Sequence, residues 1–222
     1  TATLLLLVLL PWASPGSPDL VPLRLMALVG AGWWLLALLW LRFFHFASDH
    51  ETWARVFKLA AGTLAVVPAW CALGLIHSSQ PNGHIWLFVA LAIVWAADSG
   101  AYFAGRHFGG RWFAGRKLAP RISPNKTLEG LLGGLAAGML VAAAGALLAG
   151  AGMAQLPGVL VVAIFTVLFS VVGDLFESLL KRHVGAKDSG DVIPGHGGVL
   201  DRIDGVLAAL PIFVLGKEVF GF

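Results

Sequence analysis

Charged residues and cysteines are both scarce in this 222-residue chain. Only 12% of the residues are Asp, Glu, Lys or Arg, which is about half of the share usual in a soluble domain. The single cysteine, Cys71, excludes an internal disulfide, and its position in an apolar run indicates a packed thiol. Since no Cys/His zinc spacing occurs either, the common structural zinc sites are excluded.

Apolar residues are abundant instead, and they fall in long runs. Hydrophobic residues make up 58% of the chain, and its mean hydropathy is +0.84. The apolar segments are 3–10, 25–46, 58–76, 85–103, 131–149, 158–180 and 206–220. Because a bilayer crossing takes about 20 residues, we predict an all-α polytopic membrane protein with about six to seven transmembrane helices. We expect residues 1–222 to form a single integral membrane domain.

Two of these segments differ from ordinary membrane helices. The first is too short to cross a bilayer and begins at Thr1 without a methionine, so we interpret it as the remainder of a truncated helix. No basic stretch precedes it, which argues against a signal peptide. The stretch 130–152 is rich in Gly and Ala at three- and four-residue spacing, a pattern typical of closely packed membrane helices.

The Lys and Arg residues are concentrated in three connections between apolar segments. Thirteen of the fifteen lie within 42–58, 104–130 and 181–205, and the other two are Arg24 and Lys217. Since cytoplasmic loops of membrane proteins carry such an excess, we predict that the three connections face the cytoplasm from the cell (inner) membrane. The pI near 9.4 reflects these loops and does not indicate nucleic-acid binding.

A polar stripe lies at the end of the apolar segment 158–180. Asp174, Glu177, Ser178 and Lys181 have the spacing of residues on one helix face. Carboxylates within a membrane are costly and therefore indicate a functional site, although a structural ion pair would also account for them. Oxygen ligands of this kind are those that Mg²⁺ prefers.

The connection that follows combines opposite charges with glycine. Residues 178–204 contain four Lys or Arg, four Asp, two His and five Gly. Glycines let a ligand approach the backbone closely, and exposed backbone amides bind phosphate. Asp201 and Asp204 lie where the last helix should begin, so they either cap that helix or bind a ligand. His196 either binds phosphate or stabilises the turn.

The connection before residue 130 carries a second group of polar residues. Asp98 lies late in an apolar segment, with Tyr102 one turn further on. Ser123 followed by Pro124 is typical of the N-cap and first residue of a helix, and a helix start is a natural anion site. The candidate residues that follow are Asn125, Lys126, Thr127 and Glu129. Attraction to anionic lipids would account for the arginines of this connection, but not for these residues.

The chain resembles the phosphatidate cytidylyltransferases, also called CDP-diacylglycerol synthases. The segment SLLKRHVGAKDSGDVIPGHGGVLDRID closely resembles the signature of that family, and WAADSGAYFAGR and SPNKTLEG resemble two of its other common blocks. The matching signature positions are Ser178, Lys181, Arg182, Lys187, Asp188, His196, Gly197, Gly198, Asp201, Arg202 and Asp204. The family usually has more membrane helices before this region, so we expect the amino end of the chain to be incomplete.

This resemblance implies that CTP and phosphatidate react to give CDP-diacylglycerol and pyrophosphate. It also implies Mg²⁺ as the cofactor, held by Asp174 and Asp201 with Ser178 and Glu177 nearby, and it allows a second cation such as K⁺. Phosphates, the nucleotide or the lipid head would be held by Lys181, Arg182, Lys187, Arg202, Ser123, Asn125 and Lys126. Membrane lipids are the other expected partners, and a homodimer is compatible with the resemblance.

Two other functions are compatible with the same residues. A CTP-dependent polyprenol or phytol kinase would use similar metal and nucleotide sites, but it would need a base to deprotonate the lipid alcohol. A cation-coupled transporter would use Asp98, Asp174 and Glu177. The charged residues concentrate on one side and no paired broken helices are evident at mid-membrane, which argues against transport.

Overall fold

The computed structural model describes residues 20–49, 51–113, 115–190 and 197–222. Six long helices account for most of this part of the chain. They are α1 (Val21–Trp40), α2 (Thr52–Ser78), α3 (Gly83–Phe108), α4 (Leu128–Leu148), α5 (Leu156–His183) and α6 (Leu200–Phe220). The predicted all-α architecture is confirmed, with one addition: β1 (Lys117–Ala119) pairs antiparallel with β2 (Ser123–Thr127). The first apolar segment, residues 3–10, lies outside the described residues.

Five helical segments of the described chain are long and apolar enough to cross a membrane. They are Val21–Trp40, Thr52–Ser78, Gly83–Phe108, Leu128–Leu148 and Met153–His183, the last of which includes a short 3₁₀ turn before α5. Helix α6 carries charged residues at both ends and is not among them. Helices α1 and α2 begin before the predicted segments. As a result, Arg24, Arg55 and Lys58 lie within helices rather than at their boundaries. Long basic side chains can extend to the membrane surface from such positions.

Small residues allow neighbouring helices to approach closely. A Cβ atom added to Gly100 in α3 would lie 2.6 Å from both the Ala137 Cβ and the Gly133 carbonyl oxygen in α4. The prediction that the Gly/Ala-rich stretch packs against another helix is therefore confirmed. Helices α5 and α6 cross in a similar way, since a Cβ at Gly173 would collide with the carbonyl oxygen of Asp204. This second crossing brings the acidic parts of α5 and α6 together.

An aromatic cluster supports α5 beside its acidic residues. Phe176 packs edge-on against Trp33, Trp34 and Trp40, with ring centroids 5.8, 5.7 and 5.3 Å apart. The Trp34 indole also donates a hydrogen bond to the Leu207 carbonyl oxygen in α6 at 3.1 Å. Aromatic pairs in this arrangement add to the free energy gained by burial. The cluster therefore holds α5 against α1 and α6.

The three basic connections lie at one end of the helices. His183, at the end of α5, has its Nε2 2.6 Å from the Phe44 carbonyl oxygen in the first basic connection. Arg182 donates to a backbone carbonyl in the turn between β1 and β2, at 3.5 Å. Arg24 and Lys217 lie at the opposite helix ends, in the first turn of α1 and the last turn of α6. This clustering agrees with the predicted topology, and the side of the membrane that the basic end faces stays a prediction.

Candidate functional site

The helix after the second basic connection begins later than predicted. Residues Ser123–Thr127 form β2, and α4 begins at Leu128. Thr127 is the N-cap of α4, and its Oγ1 accepts a hydrogen bond from the Gly130 amide at 3.0 Å. The prediction of Ser123 as an N-cap is wrong, because pairing with β1 satisfies the backbone of this segment in another way. The candidate residues before Leu128 therefore project from a strand and not from a helix start.

A cavity of about 580 Å³ lies between the hairpin and helices α3, α4 and α5. Its polar lining consists of Asp98, Tyr102, Arg106, Asn125, Lys126, Thr127 and Asp174, and we call it the polar cavity. The Lys126 Nζ lies 2.5 Å from Asp174 Oδ2, which joins the hairpin to α5. On α3, Arg106 donates to the Tyr102 hydroxyl at 2.7 Å. Cavities of this size are typical of small-molecule sites.

A second cavity, of about 690 Å³, lies between α2, α3 and α6. Its lining is mostly apolar, and we call it the apolar cavity; it includes Val66, Trp70, Leu73, Leu91, Trp95 and Leu210. The polar residues of its lining are Asp98, Asp201, Arg202 and Asp204. Since Asp98 belongs to the lining of both cavities, the two adjoin at this residue.

Three carboxylates near this junction interact with one another. Asp98, Asp174 and Asp204 are close enough for mutual electrostatic repulsion, and Lys126 attracts both Asp98 and Asp204 and pairs directly with Asp174. Three carboxylates therefore repel one another around a single ammonium group. A bound cation, or a proton on one of the carboxyl groups, relieves such repulsion.

Lys181 lies between two largely buried carboxylates. Its Nζ is 2.5 Å from Glu177 Oε2 and 2.6 Å from Asp201 Oδ1. The side chains of Glu177 and Asp201 are only 6% and 9% exposed. The predicted helical stripe is confirmed, since Ser178 also donates to Asp174 Oδ1 at 3.4 Å. Lys181 therefore connects α5 to the first turn of α6 in addition to its predicted role with phosphate.

The other oxygen of Asp201 anchors the third basic connection. Asp201 Oδ2 accepts from the Ser189 amide and hydroxyl, both at 2.9 Å, and from the Gly198 amide at 2.7 Å. Asp201 precedes the apolar part of α6. Burial works to raise the pKa of its carboxyl group, but the hydrogen-bond donors, with Lys181 first among them, hold that pKa well below its usual range. Gly197 has a φ of +78°, and a Cβ there would lie 2.7 Å from Asp201 Oδ2. The connection requires glycine at this position.

The remaining signature residues lie around these contacts. Lys187, Asp188 and Arg202 are exposed, and Asp204 accepts a hydrogen bond from the Gly205 amide at 2.7 Å. His196, which we predicted to bind phosphate or stabilise the turn, lies outside the described residues.

Sequence reasoning missed part of both cavities. Arg106 was grouped with the arginines attracted to lipid, yet it lines the polar cavity one turn after Tyr102 and two turns after Asp98. The four-residue spacing of Asp98, Tyr102 and Arg106 predicts that the three side chains lie on one helix face. Trp70 and Trp95 line the apolar cavity from different helices, and their meeting depends on the packing of α2 with α3.

The donor set at this end of the molecule fits Mg²⁺. Within the described ranges, no three His, Cys, Asp or Glu residues come together as a metal site of protein ligands alone. Mg²⁺ usually takes one or two carboxylates and completes its shell with waters and substrate phosphates, so such a group is not required. The Asp174 side chain is 37% exposed and borders the polar cavity, with the Ser178 hydroxyl beside it. All of these donors are oxygen atoms.

Known sequences show the same relationship as the motifs. The profile of the cytidylyltransferase family matches residues 1–220. A phosphatidate cytidylyltransferase of Brucella suis is 44% identical over 164 residues, which cover 72% of this chain and 57% of the relative. The Haemophilus influenzae enzyme of that name is 38% identical over 201 residues (86% and 67%), and that of Pseudomonas aeruginosa 43% over 190 residues (85% and 66%). The chain thus spans between 57% and 67% of the length of these relatives.

Proposed function

The chain belongs to the cytidylyltransferase family, and we propose on that basis that it transfers the cytidylyl group of CTP to phosphatidate. The products are CDP-diacylglycerol and pyrophosphate. The observation that carries this proposal is that a polar and an apolar cavity adjoin at Asp98. The reaction needs such a junction, because CTP is soluble in water whereas the acyl chains of phosphatidate stay among apolar groups.

The reaction is a displacement at the α-phosphorus of CTP. A phosphate oxygen of the lipid forms the new bond to this phosphorus, and the bond to the bridging oxygen breaks as pyrophosphate leaves with the electron pair. The attacking oxygen is already anionic, so no serine or cysteine nucleophile is needed. The main barrier is the repulsion between two anions, which positive groups placed at the reacting phosphates reduce.

The polar cavity is our proposed site for the triphosphate. Lys126 and Arg106 supply positive charge from two different walls, and Asn125 and Thr127 add neutral donors. The basic residues Lys181, Arg182, Lys187 and Arg202 lie at the same end of the molecule and are proposed to contact phosphate groups. The other residues of the matching motifs are proposed to bind the nucleotide or its phosphates; they are Ser123, Asp188, His196, Gly197, Gly198 and Asp204.

We place Mg²⁺ at Asp174 and Asp201, with Ser178 and Glu177 beside them. When bound, the ion would neutralise charge on the phosphate oxygens. The repulsion among Asp98, Asp174 and Asp204 supports a cation at Asp174. A second cation, such as K⁺, would reduce the same repulsion. Lys126 holds the Asp174 carboxylate toward the polar cavity.

The apolar cavity is our proposed site for an acyl chain of phosphatidate. Its walls carry Trp70 and Trp95, and Arg202 lies with the carboxylates of its lining. A lipid lying with its chain among the tryptophans would bring its phosphate near Asp98, where the two cavities adjoin. We propose that the basic end faces the cytoplasm from the inner membrane, where CTP is available, and that the protein forms a homodimer.

The proposal is tested by following the two ends of CTP separately. Purified protein is incubated with Mg²⁺, phosphatidate or a polyprenol, and CTP labelled at either the α- or the γ-phosphate. A cytidylyltransferase moves the α-label into a lipid product only when phosphatidate is present, and Asp174→Asn abolishes this transfer. Transfer of the γ-label to the polyprenol would instead establish a lipid kinase. Absence of both transfers would indicate a transporter or an inactive fragment.

A further inference from the structure

Glu129 is a buried acid that none of the proposed reaction steps uses. It lies in the first turn of α4, and only 1% of its surface is exposed. Its Oε1 accepts hydrogen bonds from three backbone amides of the turn after α3: those of Gly110 at 3.0 Å, Trp112 at 3.3 Å and Phe113 at 3.2 Å. A carboxylate that accepts several backbone amides makes strong, charge-assisted hydrogen bonds.

These contacts close the chain around the hairpin. The turn 110–113 precedes β1, and Glu129 comes two residues after Thr127, which is both the last residue of β2 and the N-cap of α4. Glu129 therefore joins the two ends of the segment that contains both strands. The turn itself is held against α3, since Trp112 stacks on Phe108 with ring centroids 4.9 Å apart.

We propose that Glu129 is a positioning residue that holds the β1–β2 hairpin over the polar cavity and so places Lys126 and Asn125 for CTP. This inference rests on the proposed function for its substrate, but not for its geometry. Both strand residues line the cavity, and Lys126 reaches across it to Asp174. A strand pair of three and five residues has too few contacts of its own to be stable alone.

The turn is shaped for this acceptor. Gly110 has a φ of +85°, a conformation that glycine adopts readily, and it directs its amide to Glu129. A Cβ at Gly109 would collide with the Gly105 carbonyl oxygen, so that position also requires glycine. Leu118 of β1 also lines the polar cavity, so the strand that follows the turn forms part of the cavity wall. The turn, the hairpin and the start of α4 thus form one unit around a single carboxylate.

The geometry is tested by limited trypsin digestion in detergent, which needs no activity. Arg116 and Lys117 are exposed on the hairpin side of the turn, and Lys187 lies in a different connection as an internal reference. We expect Glu129→Ala to speed cleavage at the first two sites and leave Lys187 unchanged. Glu129→Gln, which keeps an acceptor oxygen, should be cleaved nearly as slowly as the wild type. Equal cleavage of the wild type and Glu129→Ala would overturn the proposal.

The kinetic consequence is measured as separate KM values for CTP and for phosphatidate. We expect Glu129→Ala to raise the KM for CTP about tenfold, because misplacement of a binding group by about an ångström is costly, and to leave the KM for phosphatidate unchanged. In a Lys126→Met background, Glu129→Ala should raise the KM for CTP little further. If Glu129 acts by positioning Lys126, the effects of the two substitutions are not additive. Fully additive effects would show that Glu129 does not act through Lys126.

Two further variants keep the test decisive. Glu218→Gln, which alters the ion pair of Glu218 with Arg24 at the other end of the helices, should leave both readouts unchanged. If Glu129→Ala does not fold, Glu129→Asp replaces it, because its shorter side chain reaches the turn less well, and the same directions are expected. A wild type without CDP-lipid product would refute the proposed function, whereas the digestion pattern would still decide the role of Glu129.

Discussion

Asp174 and Asp201 are both proposed metal ligands, but their neighbours differ. Asp174 borders the polar cavity and pairs with Lys126. Asp201 is largely buried and accepts hydrogen bonds from Lys181, Ser189 and Gly198. The loss of charge at these two positions should therefore have different effects on stability, even where it has the same effect on turnover.

Asp174→Asn is expected to abolish CDP-lipid formation and to leave the melting temperature nearly unchanged. The amide keeps the size of the side chain and removes the charge that a divalent cation requires. The measurement is turnover of CTP at saturating Mg²⁺ beside a thermal melt in the same detergent. Near-normal turnover would show that Asp174 is not an essential ligand.

Asp201→Asn is expected to abolish turnover as well, but also to lower stability by about 1.5 to 3 kcal/mol, the usual range for a hydrogen bond to a charged group. The destabilisation should come with faster proteolysis at Lys187, because Asp201 anchors that connection through Ser189. Asp174→Asn serves as the matched control. An unchanged melt for Asp201→Asn would contradict the anchoring role.

Lys181→Met is expected to be more destabilising, by about 3 to 5 kcal/mol, because it leaves two buried carboxylates without their cation. The second change Glu177→Gln in the same chain should restore part of this stability, since it removes one of the two negative charges. Chemical unfolding in detergent measures both effects. If Lys181→Met loses activity without losing stability, its principal partner is phosphate and not Glu177 or Asp201.

At the scale of the elements, the crossing of α3 and α4 depends on glycine. A Cβ at Gly133 would lie 2.8 Å from the Gly100 carbonyl oxygen and would also collide with Ala104, whereas a Cβ at Gly62 would meet nothing within 4 Å. We expect Gly133→Ala to destabilise the protein by about 1 to 3 kcal/mol through overpacking. Gly62→Ala, the matched control in α2, should be neutral or stabilising by up to about 1 kcal/mol. Equal melting temperatures would contradict the close crossing.

The helices could be predicted from hydropathy, whereas the hairpin could not. Apolar runs of membrane length are local and indicate α1 to α5 directly. Strand β2 forms because β1 lies beside it, and the local Ser123-Pro124 signal pointed to a helix start instead. Pairing between segments overrides such local preferences.

The same limit applies within the candidate site. The contact between Glu177 and Lys181 follows from their spacing of one helical turn. The contacts of Lys181 with Asp201 and of Lys126 with Asp174 join different elements, and they depend on helix crossings that no local pattern reveals. The motifs therefore indicate candidate residues for the site, but not which of them pair.

At the scale of the whole molecule, the excess of basic residues predicts how the protein lies in the membrane. Single cysteines replacing Arg111 and Val184 at the basic end, in a Cys71→Ala background, should react with an impermeant reagent only from the cytoplasmic side. A cysteine replacing Met153, which is 74% exposed at the opposite end, should react only from the other side. Labelling of Arg111→Cys from outside would overturn the topology.

The pair of Glu177 and Lys181 also bears on how the chain enters the bilayer during its synthesis. Helix α5 is made before α6, so Lys181 must first enter without Asp201, which follows 20 residues later. Because Glu177 lies one turn away on the same helix, the two charges offset each other. Helix α5 therefore contains a counter-ion for Lys181 before α6 has been made. Asp201 then reaches Lys181 only when α6 has followed, so the connection between these helices can close only after both have been inserted.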